Sequence, residues 1–197
     1  FKTPLKLGQT FKKKWLDIDK NQDSISLAEW ILEMNPSQGD DLMLQMDIEG
    51  AEYRNLLATR DDVLQRFRII VLELHGLTAC NSSSTFNREI GPLLNKLGEH
   101  FICVHIHPNN CSSEFFITGS ELNLANIIEV TFLRKDRFNR SISIDWHPPM
   151  LPHPKDIVYN VPDQPPVFLN ENWLMNGLRS AESQVKLLSD MLDYKNR

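Results

Sequence analysis

Residues 41–57 read DLMLQMDIEGAEYRNLL, and eleven positions later residues 68–76 read RIIVLELHG; these two blocks decide the fold. In the first, a short apolar run over 42–46 stops at Asp47, and a mixed segment follows. That segment, 51–67, places Leu56, Leu57, Leu64 and Phe67 at helical spacing. In the second, 68–74 is rich in β-branched residues and ends at His75, which predicts a central strand. A third strand is predicted at 101–106 (FICVHI), running into His107, with a helix over 86–97 before it that carries Ile90, Leu93, Leu94 and Leu97. Short apolar runs alternating with longer amphipathic segments are the pattern of a layered α/β sheet, each helix crossing over between parallel strands.

Outward from this centre, 127–133 (IIEVTFL) predicts a fourth strand with no long helix before it, a closing strand expected to run antiparallel. Residues 146–166 are dense in proline, which excludes a central strand and predicts an extended segment over the surface, a lid or a wrap. The tail sets Leu178, Ala181, Val185, Leu188 and Leu192 on one stripe, an amphipathic helix for core packing or a homodimer seam. The expected organisation is 1–145 as the α/β body, 146–177 as the proline-rich segment and 178–197 as the helix.

Composition bounds the function. Of 197 residues, 41% are hydrophobic and 24% charged, the balance of an ordinary globular domain. A formal charge of -5 and a pI near 5.7 argue against a nucleic-acid partner. The longest aliphatic run, 69–72, is far short of the roughly 20 residues that span a bilayer, so no membrane partner is expected. The three cysteines, Cys80, Cys103 and Cys111, lack the spacing of a disulfide or zinc framework, which points to a reducing cytoplasmic location. The basic runs 12–14 and 134–140 have acids interleaved or close by and read as solvated surface.

The blocks 41–57 and 68–76 resemble the FkbM family of S-adenosylmethionine-dependent methyltransferases. In that family an apolar strand runs into Asp-Val-Glu-Gly-Ala-Glu at the reaction cleft, and the next strand ends in a Glu. The matching residues are Asp47, Ile48, Glu49, Gly50, Ala51 and Glu52, then Glu73. Residues 25–31 (ISLAEWI) resemble the family's lead-in segment, and the likeness extends to about His107. It implies a partial class I methyltransferase sheet, Rossmann-like and mostly parallel, and methyl transfer to a small-molecule or sugar acceptor. Carboxylates at the C-terminal edge of parallel strands face the crevice where open α/β sheets bind ligands. Asp47 and Glu49, on the reaction face that the resemblance implies, and His75 and His107, at the ends of the neighbouring strands, are the candidate catalytic residues. Glu49 and Glu52 can also be read as ordinary acids at a helix N-terminus.

Strand alternation puts Glu73 and His75 on one face, and His105 and His107 on one face of the next strand. Related class I methyltransferases hold a divalent metal at corresponding strand ends; here Asp47, Glu73 and His75 are the first ligands to test. The loop HPNNC, 107–111, offers amides to orient substrate or to make turns. The expected cofactor turn is missing, because none of the eight glycines lies within two residues of another and no Gly-x-Gly fingerprint can be written. With about 40 residues before the first strand, the cofactor-binding half is expected to precede Phe1, making this chain the reaction-face half.

Residues 17–30 (DIDKNQDSISLAEW) look like an EF-hand loop, but the register fails. Counted from Asp19, no glycine stands at position six and Glu29 falls at eleven; counted from Asp17, Ala28 takes the place of the bidentate Glu. A solvated acidic turn before a helix capped by Ser24 or Ser26 is the reading that remains. The alternative to an enzyme is a non-catalytic metal-binding or protein-interaction module using the His/acid strand edge and the C-terminal helix. A metal-dependent hydrolase on His75, His105 and His107 lacks ligand spacing on a single helix.

Overall fold

The computed structural model describes residues 4–19, 21–138 and 160–169. Chain order begins with two short strands, β1 (Trp15–Leu16) and β2 (Ser24–Ile25), paired parallel around the acidic turn. Helix α1 (Leu27–Met34) follows, and Ser26 caps it in a full capping box with Glu29. Strand β3 (Leu42–Met46) leads through the Asp47–Ala51 turn to α2 (Glu52–Ala58) and α3 (Asp61–Leu64), then to β4 (Phe67–Leu74). After a short 3₁₀ segment (Leu77–Asn81), α4 (Ser83–Thr85) opens through a π-helical turn (Phe86–Ile90) into α5 (Gly91–His100) and β5 (Phe101–Pro108). A small hairpin-like pair, β6 (Glu114–Phe116) and β7 (Asn123–Ala125), precedes β8 (Ile128–Arg134).

The four predicted strands form one sheet in the order β3-β4-β8-β5. The β3–β4 ladder is parallel; β8 runs antiparallel to both of its neighbours. This is a mixed α/β architecture with a partly parallel sheet. It corrects the expectation of a mostly parallel sheet closed by an outer strand, because β8 lies inside the sheet. The β4–β5 connection therefore skips one position, and β8, the last strand among the described residues, fills the gap. Met46, Leu72, Val130 and Ile106 are cross-strand partners in one row, and all are buried. Leu56, Leu64, Phe86, Leu93 and Leu97, from the helical segments, complete this core.

The predicted helix over 51–67 is broken in two, and a distant side chain explains why. Thr59 Oγ1 donates back to Asn55 O at 2.7 Å, and Thr59 itself is extended. Lys96 Nζ, reaching over from α5, donates to Leu57 O (2.8 Å) and Thr59 O (2.5 Å), satisfying carbonyls that a continuing helix would have used. The π-helical turn before α5 has a local cause. Pro92, at the start of α5, has no N–H for the carbonyl four residues back and its ring would clash with it, so the turn widens.

Two arginines of the 134–140 run, a run expected to be plain surface, hold the sheet's other end together. Arg134 and Arg137 each place NH2 at 2.9 Å from Asp41 Oδ1, joining the end of β8 to the start of β3. Both guanidiniums hold the Asp41 carboxyl below its usual range, Arg137 most strongly. Of the proline-rich segment, 160–169 is described and lies docked on the body. Asn110 Nδ2 donates to Val161 O and Gln164 O, Val161 N donates to Asn110 Oδ1, and Leu169 is buried. The C-terminal helix predicted over 178–197, with its dimer seam, lies outside the described residues. Among the described residues no helix is long and apolar enough to cross a membrane, and none of the three cysteines is in a disulfide.

Candidate active site

The turn after β3 is built from two residues in left-handed backbone conformations, Glu49 (φ 58) and Gly50 (φ 98). Glycine adopts that region without penalty, whereas Glu49 pays on the order of 1 kcal/mol for it. What holds Glu49 there is Glu52. Its side chain is fully buried, and its two oxygens accept Ile48 N–H at 2.8 Å and Gly50 N–H at 2.9 Å. A carboxylate buried this deeply needs such donors to replace water.

The same Glu52 carboxylate faces the end of β4. His75 Nδ1 lies 3.3 Å from Glu52 Oε1, although the contact falls short of hydrogen-bond geometry. Tyr53 OH donates to the His75 carbonyl at 2.9 Å and fixes the backbone there; burial raises its phenol pKa above the usual range. The other ring nitrogen, His75 Nε2, points toward the turn, 3.5 Å from Glu49 Oε2 and 3.8 Å from Asp47 Oδ1. The His75 side chain is 12% exposed, against 50% for Asp47 and 87% for Glu49. A mostly covered imidazole thus presents one nitrogen between two open carboxylates. Beside them lies a cleft of about 830 Å³, between the turn, α2, β1 and the π-helical turn.

Three of the four residues expected to be catalytic, Asp47, Glu49 and His75, come together; His107 does not join them. It is buried on β5, with Nε2 3.2 Å from Asn160 Oδ1. Its cross-strand partner is Glu129, which in turn pairs with Glu73. With β8 between them, His107 is two strand spacings, about 10 Å, from β4. The same insertion keeps His105 from His75, so no three-histidine centre forms.

Glu73 sits beside Asp47 but outside the tight His75 group. Asn109 Nδ2 donates to Glu73 Oε1 at 2.7 Å. Burial, then the charge of Asp47, raises the Glu73 pKa, and the Asn109 bond opposes the rise. Of the 107–111 amides, Asn109 thus supports a site residue and Asn110 anchors the 160–165 segment. The metal set the geometry brings together is Asp47, Glu49 and His75, whose ligand atoms lie within 4.8 Å of one another. Bond lengths of roughly 2.1 Å at tetrahedral angles need ligand atoms about 3.4 Å apart, so the closer contact already fits.

Glu52 is the residue that sequence reasoning underweighted. Its signal was its place two residues after the glycine, where its carboxyl can reach back over the turn. In the EF-hand look-alike two of the acids already have protein partners. Glu29 Oε2 bonds Ser26 N (3.0 Å) and Ser26 Oγ (2.8 Å), and Asp17 Oδ2 pairs with Arg54 at 2.7 Å. A second His/carboxylate group, Asp61, Glu99 and His100, lies at the opposite end of the sheet. There Lys96 Nζ is already 3.7 Å from Asp61.

No protein-family model, curated protein or solved structure matches this chain.

Proposed function

We propose that this chain forms the acceptor side of an S-adenosylmethionine-dependent methyltransferase acting on a small-molecule or sugar acceptor. The observation that carries the proposal is His75 Nε2 held between Asp47 and Glu49 at the C-terminal ends of two adjacent parallel strands. An acceptor hydroxyl or amine must lose a proton as it is methylated, and a positioned imidazole is the side chain suited to take it near neutral pH. Asp47 and Glu49 offer acceptors that orient the substrate beside Nε2. The FkbM-like spacing of Asp47, Glu49, Gly50 and Glu52 supports the same reading.

The chain carries no Gly-x-Gly turn of the kind that cradles such a cofactor, its eight glycines standing apart in the sequence. No step is therefore assigned to residues holding the cofactor.

The test is titration of the full-length protein with S-adenosylmethionine, joined to a methyl-transfer assay. His75→Ala should lower turnover by a factor of roughly 10²–10⁴ with cofactor affinity nearly unchanged. Asp47→Asn should lower turnover as well. Failure to bind the cofactor sinks the methyltransferase reading, and wild-type rates in both variants sink the residue assignment.

The donor set favours one second reading, a non-catalytic metal-binding module. Imidazole plus two carboxylates, with a buried carboxylate behind the imidazole, is a familiar arrangement for a divalent ion. Zinc or manganese binding that His75→Ala abolishes, in a protein that does not bind S-adenosylmethionine, would favour this reading.

A further inference from the structure

The cleft beside His75 has a charge pattern that selects among ligands. Its charged lining consists of the acids Asp17, Asp47, Glu49 and Glu89 and the bases Arg54 and Arg88. Each base is already matched: Arg54 NH2 lies 2.7 Å from Asp17 Oδ2, and Arg88 NH2 lies 2.8 Å from Glu89 Oε1. Asp47 and Glu49 are left over, and their ion pairs among the described residues are with His75 alone. The rest of the lining is largely apolar, and Trp15 contributes an indole that is 78% exposed.

We infer that this cleft binds an organic cation, a protonated amine carried on an apolar body. Unmatched carboxylates attract the ammonium, an exposed indole face stabilises it further by cation–π attraction, and the apolar lining takes the body. An anionic ligand would meet the excess acid and find both arginines engaged. The inference deepens the methyltransferase reading by naming the acceptor class, and it rests on that reading only for the word acceptor. The binding itself requires no turnover.

The experiment is calorimetric titration of the full-length protein, without cofactor, with three probes sharing one phenyl body: phenethylamine, 2-phenylethanol and 3-phenylpropionate. The amine is expected to bind about tenfold tighter than the alcohol, the sum of one exposed ion pair and one cation–π contact, and the carboxylate weakest. Added salt should weaken the amine alone. Glu49→Gln should remove most of the amine's advantage and leave the alcohol unchanged. Trp15→Leu, which keeps an apolar side chain but removes the π face, should cost the amine more than the alcohol. Equal affinity for amine and alcohol, tighter binding of the carboxylate, or no binding of any probe overturns the inference. Amine selectivity without S-adenosylmethionine binding would overturn the methyltransferase reading and leave the cation site standing. Cofactor binding without amine selectivity would do the reverse.

Discussion

Replacing Glu52 tests the site and the fold together. Its oxygens accept Ile48 N–H at 2.8 Å and Gly50 N–H at 2.9 Å in a fully buried position. In Glu52→Gln, one oxygen becomes an NH2 that must face a backbone N–H, so one hydrogen bond is lost and a donor is left against a donor. A buried group so stranded costs about 1–3 kcal/mol, which sets the expected loss. Glu52→Ala removes both bonds and leaves a void, for roughly 3–5 kcal/mol in all. Urea unfolding followed by circular dichroism measures both. The turn should also relax, because nothing then holds Glu49 at positive φ. If the His75 group binds zinc, Glu52→Gln should weaken that affinity about 10–100-fold, the usual effect of removing the partner behind a ligating histidine. A Glu52→Gln protein within about 0.5 kcal/mol of wild type would refute the reasoning, since surface-like tolerance is incompatible with a buried acceptor of two backbone donors.

Lys96→Met keeps the aliphatic stem but strips the Leu57 and Thr59 carbonyls, at the end of α2, of their donor; a loss of about 1–2 kcal/mol is expected in the same unfolding assay. Asn110→Ala should free the 160–165 segment, read as faster amide exchange and proteolysis there with the sheet protected as before. Asp41 has a lowered pKa through Arg137 and Arg134, so its contribution is present above the unfolded value near 3.9 and fades as pH falls through the folded one. Asp41→Asn should flatten that acid-side decline in melting temperature. Glu73 has the opposite sign: burial and Asp47 raise its pKa, so stability is full below about 4.3 and lost as pH rises through the folded value. Glu73→Gln, still able to accept from Asn109, should therefore match wild type at acid pH and exceed it at neutral pH.

What the sequence made legible follows what is local. Apolar runs located β3, β4, β5 and β8 to within two residues at their ends, because strand character depends on neighbours in the chain. The order of those strands depends on pairing across long separations, and no residue of β8 announces that it will lie between β4 and β5. That one insertion accounts for the separation of His107 from His75. Both histidines end or follow strands that point the same way, and only the intervening strand sets them apart. The break at Thr59 was hidden for a similar reason, since the group that satisfies the freed carbonyls is Lys96, on another helix. The motif spacing keeps Asp47 and Glu49 near one another because a single tight turn carries both.

The spacing Asp47-x-Glu49-Gly50-x-Glu52 can now be explained position by position. Gly50 and Glu49 turn the chain back on itself, at a conformational cost concentrated at Glu49. Glu52 offsets that cost by holding the turn's two N–H groups, and it must be buried to do so. Once buried there, its carboxylate confronts the end of β4, where His75 Nδ1 stands 3.3 Å away. The strain therefore has a consequence beyond the turn: a relaxed Glu49 would swing its carboxylate away from Nε2, and a missing Glu52 would leave the imidazole without its buried neighbour. The carboxylate that holds the turn is thus also the buried neighbour of the imidazole, so a substitution of Glu52 is expected to disturb both.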